Sequence, residues 1–243
     1  MLYLAKNILE RQENNIKPFI VLTGPTSVGK TLQIDNLLAH FSNVEIVNMD
    51  SYQVYAFFRI GTGRGDSDNY RRHLYGFASP FEKISPQEYV DKAIAVAYVL
   101  RSLGKIPIFE GGSRSYLPAL LQTIPLKILG LYPPPKDGQW IEKRITQRIH
   151  DDFRRGLEQE IRLGEELGYA DTEIMQHPIL YRPTRDYLAG KITKEEAIQI
   201  SVKGLLEMHY DQLEKLSLLP ITWLPAAEAQ TADKLLELIQ VEF

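Results

Sequence analysis

Residues 24–31 read Gly24-Pro25-Thr26-Ser27-Val28-Gly29-Lys30-Thr31, between the apolar run Phe19 to Leu22 and a helix-like stretch beginning at Leu32. Two glycines at this spacing let the backbone turn tightly, so that successive N–H groups and the positive end of the next helix point into one concavity. An oligophosphate fits there. Lys30 supplies a mobile cation to its oxygens, and the Thr31 hydroxyl is the expected ligand of a partly hydrated Mg²⁺ on the same phosphates. The loop predicts phosphate binding without choosing the reaction. Most such loops serve phosphoryl transfer, but a diphosphate can also be held as a leaving group.

Other chemistry-bearing residues stand at strand ends and on helices. Asp50 follows the apolar run Val44 to Asn48, where open α/β sheets bind their ligands. Ile106 to Phe109 likewise ends in Glu110-Gly111-Gly112-Ser113. In the glycine-rich stretch Ile60 to Asp66, Arg64 either reaches a phosphate or is an exposed arginine on a turn. Arg71-Arg72-His73 reads by default as a solvated basic turn. Arg148 lies on a helical face with Lys143, Arg144, Arg154 and Arg155, a pattern that serves either as solvation or as a lid over a phosphate. His209, alone on a later helix, is read as structural by default. No His and carboxylate set has metal-site spacing, and no Ser, His and Asp nucleophilic set is visible.

The elements that must position these groups follow from periodicity and capping signals. Residues 3–14 read as a short amphipathic helix with Leu4, Ile8 and Leu9 on one side. Strands are predicted at Phe19 to Thr23, Val44 to Asn48, Ile106 to Phe109, Lys127 to Leu131 and Ile221 to Leu224, the fourth closed by Pro133-Pro134-Pro135. Ser85-Pro86-Gln87-Glu88 has the form of a capping box opening a helix that stops near Gly104. Ile141, Ile145, Ile149, Phe153, Leu157 and Ile161 recur every fourth residue as one apolar face, and a further helix runs from Lys194 to about Leu216. Alternation of strand, polar tip and helix predicts an α/β fold: a doubly wound parallel sheet of the P-loop NTPase type, helices on both faces, and a helical C-terminal part. We expect one domain over 1–243, with a sheet core at 18–135, a mainly helical lid at 136–219, and a last strand and helix at 220–243.

The 243 residues, 44% of them hydrophobic, suffice for one such core. There are no cysteines, which excludes disulfides and thiolate chemistry. A formal charge of −3 gives no global attraction to a polyanion. The first 15 residues lack the apolar core of a secretory signal and no run is long enough to span a bilayer, so a cytoplasmic protein with no membrane partner is expected. The oligomeric state is open, a monomer included.

Taken in order, Gly24-Pro25-Thr26, Asp50-Ser51-Tyr52-Gln53-Val54-Tyr55, Ile60-Gly61-Thr62, His73-Leu74 and Gly111-Gly112-Ser113 resemble the P-loop isopentenyltransferase family over about residues 18–216. That family contains tRNA dimethylallyltransferases and cytokinin-forming adenylate dimethylallyltransferases. The resemblance implies transfer of a dimethylallyl group from dimethylallyl diphosphate to the exocyclic amine of an adenine, with Mg²⁺ on the diphosphate. It further implies roles for Asp50 as general base, Thr62 in orienting the amine, Arg148 on the diphosphate, and Ser113, Tyr181, Arg182 and His209 around the ligands.

Between Gly112 and Arg148 there is no room for the helical insertion of the tRNA-modifying members, and Glu207-Met208-His209-Tyr210-Asp211-Gln212 replaces their basic tail. On this basis the adenylate type is the expected subfamily, with AMP, ADP or ATP as acceptor and tRNA disfavoured as a partner. Ile179-Leu180 before Tyr181-Arg182, where the adenylate type often has Asp-Gly, favours a plain dimethylallyl donor. Three alternatives stay open: a tRNA-modifying enzyme without the insertion, prenylation of another small amine, and a small-metabolite kinase.

Overall fold

The computed structural model describes residues 17–64, 70–133, 138–226, 234–235 and 237–239. The expected helix over 3–14 lies outside them, as do Gly65, Asp66 and the Pro134-Pro135 pair; of the expected C-terminal helix, 234–235 and 237–239 are described and helical. The chain runs β1 (Phe19–Thr23), α1 (Lys30–His40), β2 (Val44–Asn48), β3 (Arg72–His73), α2 (Pro86–Ser102), β4 (Ile106–Glu110), α3 (Tyr116–Leu121) and β5 (Leu126–Tyr132). It continues through α4 (Gly138–Arg154), α5 (Leu157–Glu166), α6 (Tyr181–Leu188), α7 (Lys194–Ser217) and β6 (Ile221–Pro225).

All the strands pair in parallel, in the order β3-β2-β4-β1-β5-β6, with Ile20 opposite Ile108 and Lys127 in the central register. The strands are apolar on both faces because helices cover both. Along β1, Phe19 and Val21 enter one apolar layer with α2, α3 and α4, while Ile20 and Leu22 enter the other with α1. The period-2 alternation thus sends neighbouring residues into different cores. The expected α/β doubly wound sheet is the observed fold.

Capping fixes where the helices begin. The Ser85 hydroxyl accepts from the Glu88 N–H and the Glu88 carboxylate accepts from the Ser85 N–H, with Pro86 in the first turn, as the sequence predicts. Thr193 and Glu196 form a second such box at α7.

Two local expectations give way to tertiary contacts. The apolar repeat from Ile141 to Ile161 is two helices, because Gly156 sits at φ 104 and restarts the chain as α5; all six residues are nonetheless buried. Arg71-Arg72-His73 is no solvated turn. Arg72 and His73 form the edge strand β3, Arg71 donates to the terminal carbonyls Leu38 O and Phe41 O behind α1, and His73 Nε2 meets Glu45 at 2.6 Å. The stretch Leu117 to Thr123 is mostly the short helix α3, which buries Tyr116, Leu117 and Leu120.

Candidate active site

The carboxyl ends of β1, β2 and β4 open into one cleft of about 1110 Å³. The loop over residues 24–29, expected from the sequence to bind phosphate, contributes Thr26, Ser27 and Gly29 to its wall. Gly24 sits at φ 146, and a Cβ there would lie 2.7 Å from Leu131 O, so only glycine lets the loop leave β1 against β5. Gly29, at φ 115, passes the chain into α1. Lys30, in the first turn of α1, folds its ammonium back to Gly24 O at 2.9 Å and Pro25 O at 3.0 Å. Burial pulls the Lys30 pKa below its usual range, against the opposing pull of the Glu110 and Asp50 carboxylates; Arg148 adds to the lowering. Thr31 also lines the cleft.

Helix α4 closes over this loop. Arg148 Nη1 donates to Thr26 Oγ1 at 3.2 Å and Ser27 Oγ at 3.3 Å, and Arg144 Nε donates to Ser27 O at 3.1 Å. Of the two open readings for Arg148, the arginine therefore lies over the phosphate loop. Asp152, one turn along α4, approaches Arg148 Nε at 3.7 Å. Burial nevertheless pushes its carboxyl up to about 6, against the nearby arginines.

Asp50 lines the cleft just past β2. Its Oδ1 accepts from Tyr52 N at 2.8 Å and Gln53 N at 3.3 Å, and the Asn48 side chain binds its backbone on both sides. This fixes the carboxyl group while leaving Oδ2 without a bond among the described residues. Thr62 lines the same cleft; its hydroxyl donates to Phe58 O at 2.9 Å and accepts from Arg64 N at 3.4 Å, which leaves one lone pair to accept from a ligand. Glu110 ends β4 beside Lys30, held by Tyr75 Oη at 3.0 Å, and burial raises its pKa. Gly111 carries the chain past β2, where a Cβ would lie 2.4 Å from both Met49 C and Met49 O. Backbone cannot yield as a flexible side chain would. Gly111→Ala is therefore expected to lower the unfolding free energy by about 1–3 kcal/mol, the cost of overpacking a close-packed site. Urea titration checks this; an unchanged midpoint would mean the contact relaxes freely.

The remaining sequence candidates separate into two groups. Ser113 and Tyr181 line the cleft, with Ile179, Leu180, Leu205 and Met208 as its apolar part. Arg64, Arg182 and His209 do not. Arg64 Nη1 is turned to Tyr55 O at 3.1 Å and packs against Gly76, and Arg182 is exposed. His209 is fully buried, its Nδ1 2.7 Å from Thr26 O. The carbonyl can only accept, so Nδ1 carries the proton, and burial lowers the pKa of the ring. His209 thus ties α7 to the back of the phosphate loop.

Two residues were missed by sequence reasoning. Gln212 accepts from Thr26 N at 2.7 Å and donates to Gly112 O at 3.1 Å, joining the phosphate loop to the Gly111-Gly112 segment. Nothing local in the sequence marks it. Glu160 is a buried acid among Leu157, Ile161 and Gly164 on α5, and an acid on an apolar stripe was a signal that could have found it.

Comparison with known proteins fits this geometry. Residues 53–135 match the family model for IPP transferase. Curated relatives include the tRNA dimethylallyltransferases of Hydrogenobaculum sp. (strain Y04AAS1), 37% identical over 44% of this chain and 36% of that one, and of Corynebacterium jeikeium (strain K411), 27% identical over 78% and 84%. The match to the relative from Solibacter usitatus (strain Ellin6076), at 34% identity, takes in 41% of its length, so the chain spans well under two thirds of some of these proteins. The solved full-length tRNA isopentenylpyrophosphate transferase of Bacillus halodurans shares the fold with TM-score 0.80 and 22% identity, over 93% of this chain and 95% of that one. A eukaryotic dimethylallyltransferase acting on tRNA shares it with TM-score 0.76 and 18% identity, over 92% and 78%.

These relatives overturn the expectation that tRNA is disfavoured. That expectation rested on a missing insertion and a mildly acidic whole chain, yet the cleft itself is rimmed by Arg114, Lys143, Arg144, Arg155 and Lys215. Local charge, not the net value, is what a polyanion meets at short range. Family model, relatives and fold each show a likeness to the IPP transferases: the model over residues 53–135, the relatives over part of their length, and the solved structures in fold.

Proposed function

We propose that the protein transfers a dimethylallyl group from dimethylallyl diphosphate to the exocyclic amine of an adenine in tRNA. The observation that carries the reading is the meeting, in one cleft, of a phosphate loop covered by Arg148 with a fixed carboxylate, Asp50, that has one oxygen to spare. The apolar end formed by Ile179, Leu180, Leu205 and Met208 suits an isoprenoid chain better than the polar acceptor of a small-metabolite kinase. The tRNA dimethylallyltransferases among the relatives support the acceptor, whereas none of the relatives described above is an adenylate enzyme.

The diphosphate would lie on the N–H groups of residues 24–29, with Lys30 and Arg148 on its oxygens. Charged oxygens are stronger acceptors than the carbonyls Lys30 now holds. As the bond from the allylic carbon to the diphosphate oxygen breaks, the electron pair leaves with the diphosphate, and these cations stabilise it. The amine lone pair forms the new carbon–nitrogen bond. The proton that the amine sheds goes to Asp50 Oδ2, and Thr62 Oγ1 accepts from the other N–H and so orients the group. The apolar side of the cleft keeps water from the allylic cation.

The donor set suits Mg²⁺. Among the described residues no three His, Cys, Asp or Glu side chains could hold a metal by themselves. A hydroxyl at Thr31 with carboxylates nearby matches a cation that takes one or two protein oxygens and completes its shell with phosphate and water. When bound it would neutralise charge on the departing diphosphate.

An adenine within tRNA must be turned out of its stack to enter such a cleft, and the basic rim offers phosphate contacts beside the mouth. The test is to incubate the protein with dimethylallyl diphosphate, Mg²⁺ and either unmodified tRNA or AMP, ADP and ATP, and to analyse the nucleosides by mass spectrometry. Prenylated adenosine from tRNA is expected. Product from free nucleotides with none from tRNA would refute the acceptor, and γ-phosphate transfer from ATP without prenylation would refute the reaction.

A further inference from the structure

We propose that Glu160 is a positioning residue, which holds the loop over residues 59–62 and thereby sets Thr62 in the cleft. The inference rests on the function proposed above. Glu160 is only 9% exposed, and its carboxylate gathers four donors: Oε2 accepts from Arg59 N at 2.7 Å and Ile60 N at 2.8 Å, and Oε1 accepts from Gly61 N at 3.0 Å and Tyr181 Oη at 2.9 Å. Three successive backbone N–H groups converging on one point form an anion-binding nest. Here the anion is the protein's own side chain, carried by α5 from about a hundred residues away.

The nest has a directional consequence. Thr62 is the next residue, and its hydroxyl is already committed as a donor to Phe58 O, on the other side of the clamped segment. Fixing residues 59–61 therefore fixes both the Thr62 backbone and the direction in which its lone pairs face. The neighbouring contacts leave little slack. A Cβ at Gly61 would lie 2.4 Å from the Tyr181 ring, and one at Gly63 would lie 2.5 Å from Arg148 Nη2. Gln53 Nε2 donates to Thr62 O at 3.3 Å from the Asp50 side. The carboxylate of α5 thus stands behind the one loop that passes close to Tyr181, Arg148 and the turn after Asp50. Apolar packing alone would not require four donors on one buried group, since burying an acid is costly unless every oxygen is satisfied.

Glu160→Gln keeps the volume but replaces an acceptor oxygen by an NH₂ that faces donors, so at least one backbone N–H or the tyrosine hydroxyl loses its partner. The expected result is a fall in kcat of about 10²-fold, the effect of displacing a reacting group by roughly 1 Å. Affinity for a non-reactive dimethylallyl thiodiphosphate should stay unchanged, because the phosphate loop is not touched. Amide hydrogen exchange should accelerate at Arg59, Ile60 and Gly61 but not in β1 or β4. Tyr181→Phe, which removes one donor and leaves the three backbone bonds, should accelerate exchange of the same three amides to a smaller degree, and that exchange serves as the reading if Glu160→Gln does not fold. A kcat loss matched by equal loss of thiodiphosphate affinity, an unchanged kcat, or unaltered exchange of the three amides would each overturn the proposal. If the wild-type protein prenylates nothing, the proposed function falls, while the three amides still decide whether the clamp exists.

Discussion

Asp50→Ala is expected to lower turnover by about 10²–10⁴-fold, the range a positioned acid–base group contributes. The adenine amine is a weak nucleophile because its lone pair is delocalised into the ring, so removal of its proton as the carbon–nitrogen bond forms carries much of the barrier. Alanine removes a carboxylate held on one side by Tyr52 N and Gln53 N and, among the described residues, open on the other. Affinity for a thiodiphosphate analogue should change little, since a base acts mainly in the transition state. Single-turnover rates with donor and enzyme in excess check the first part, and titration of the analogue checks the second. Near-normal turnover in the variant would assign the base to another group, and a parallel loss of donor affinity would make Asp50 a binding residue.

Lys30→Ala should act on both quantities. A charge-assisted hydrogen bond contributes roughly 1.5–3 kcal/mol, so donor affinity is expected to fall by about 10–150-fold. Turnover should fall by a further 10²–10³-fold or so, as when one preorganised stabiliser of developing charge is removed. The second loss exceeds the first because negative charge on the diphosphate grows as it departs, and Lys30 lies in a buried setting where that charge is poorly screened. The same measurements serve for this variant. Weakened binding with an unchanged rate at saturation would show that Lys30 grips the diphosphate equally before and during departure.

The contrast between the two variants separates the cleft into a part that holds what leaves and a part that helps what attacks. In the proposed reaction Arg148 would belong with the first, as its hydrogen bonds to Thr26 and Ser27 suggest, and Thr62 with the second, through the loop that the proposed Glu160 clamp holds. The His209 and Gln212 contacts with Thr26 lie behind the first part, bracing the loop from α7.

The sequence by itself determined the parts that depend on neighbours along the chain. Glycines at 24 and 29, an apolar run before them and a helix after them specify a phosphate loop, because its backbone geometry is local. Continuous apolar strands alternating with helices specify a covered parallel sheet, and the position of Asp50 past β2 follows from that topology. Tertiary structure decided whatever depends on partners far away in sequence. Arg148 faces the loop 122 residues before it, Gln212 bridges to Thr26 across 186, and Glu160 clamps amides about 100 residues distant. No periodicity or charge count encodes those pairings, because each side chain has an equally plausible solvated position until the sheet brings its partner within 3 Å or so. For the same reason the net charge is a poor guide to the cleft: folding gathers Arg114, Lys143, Arg144, Arg155 and Lys215 around it in a chain that is acidic as a whole.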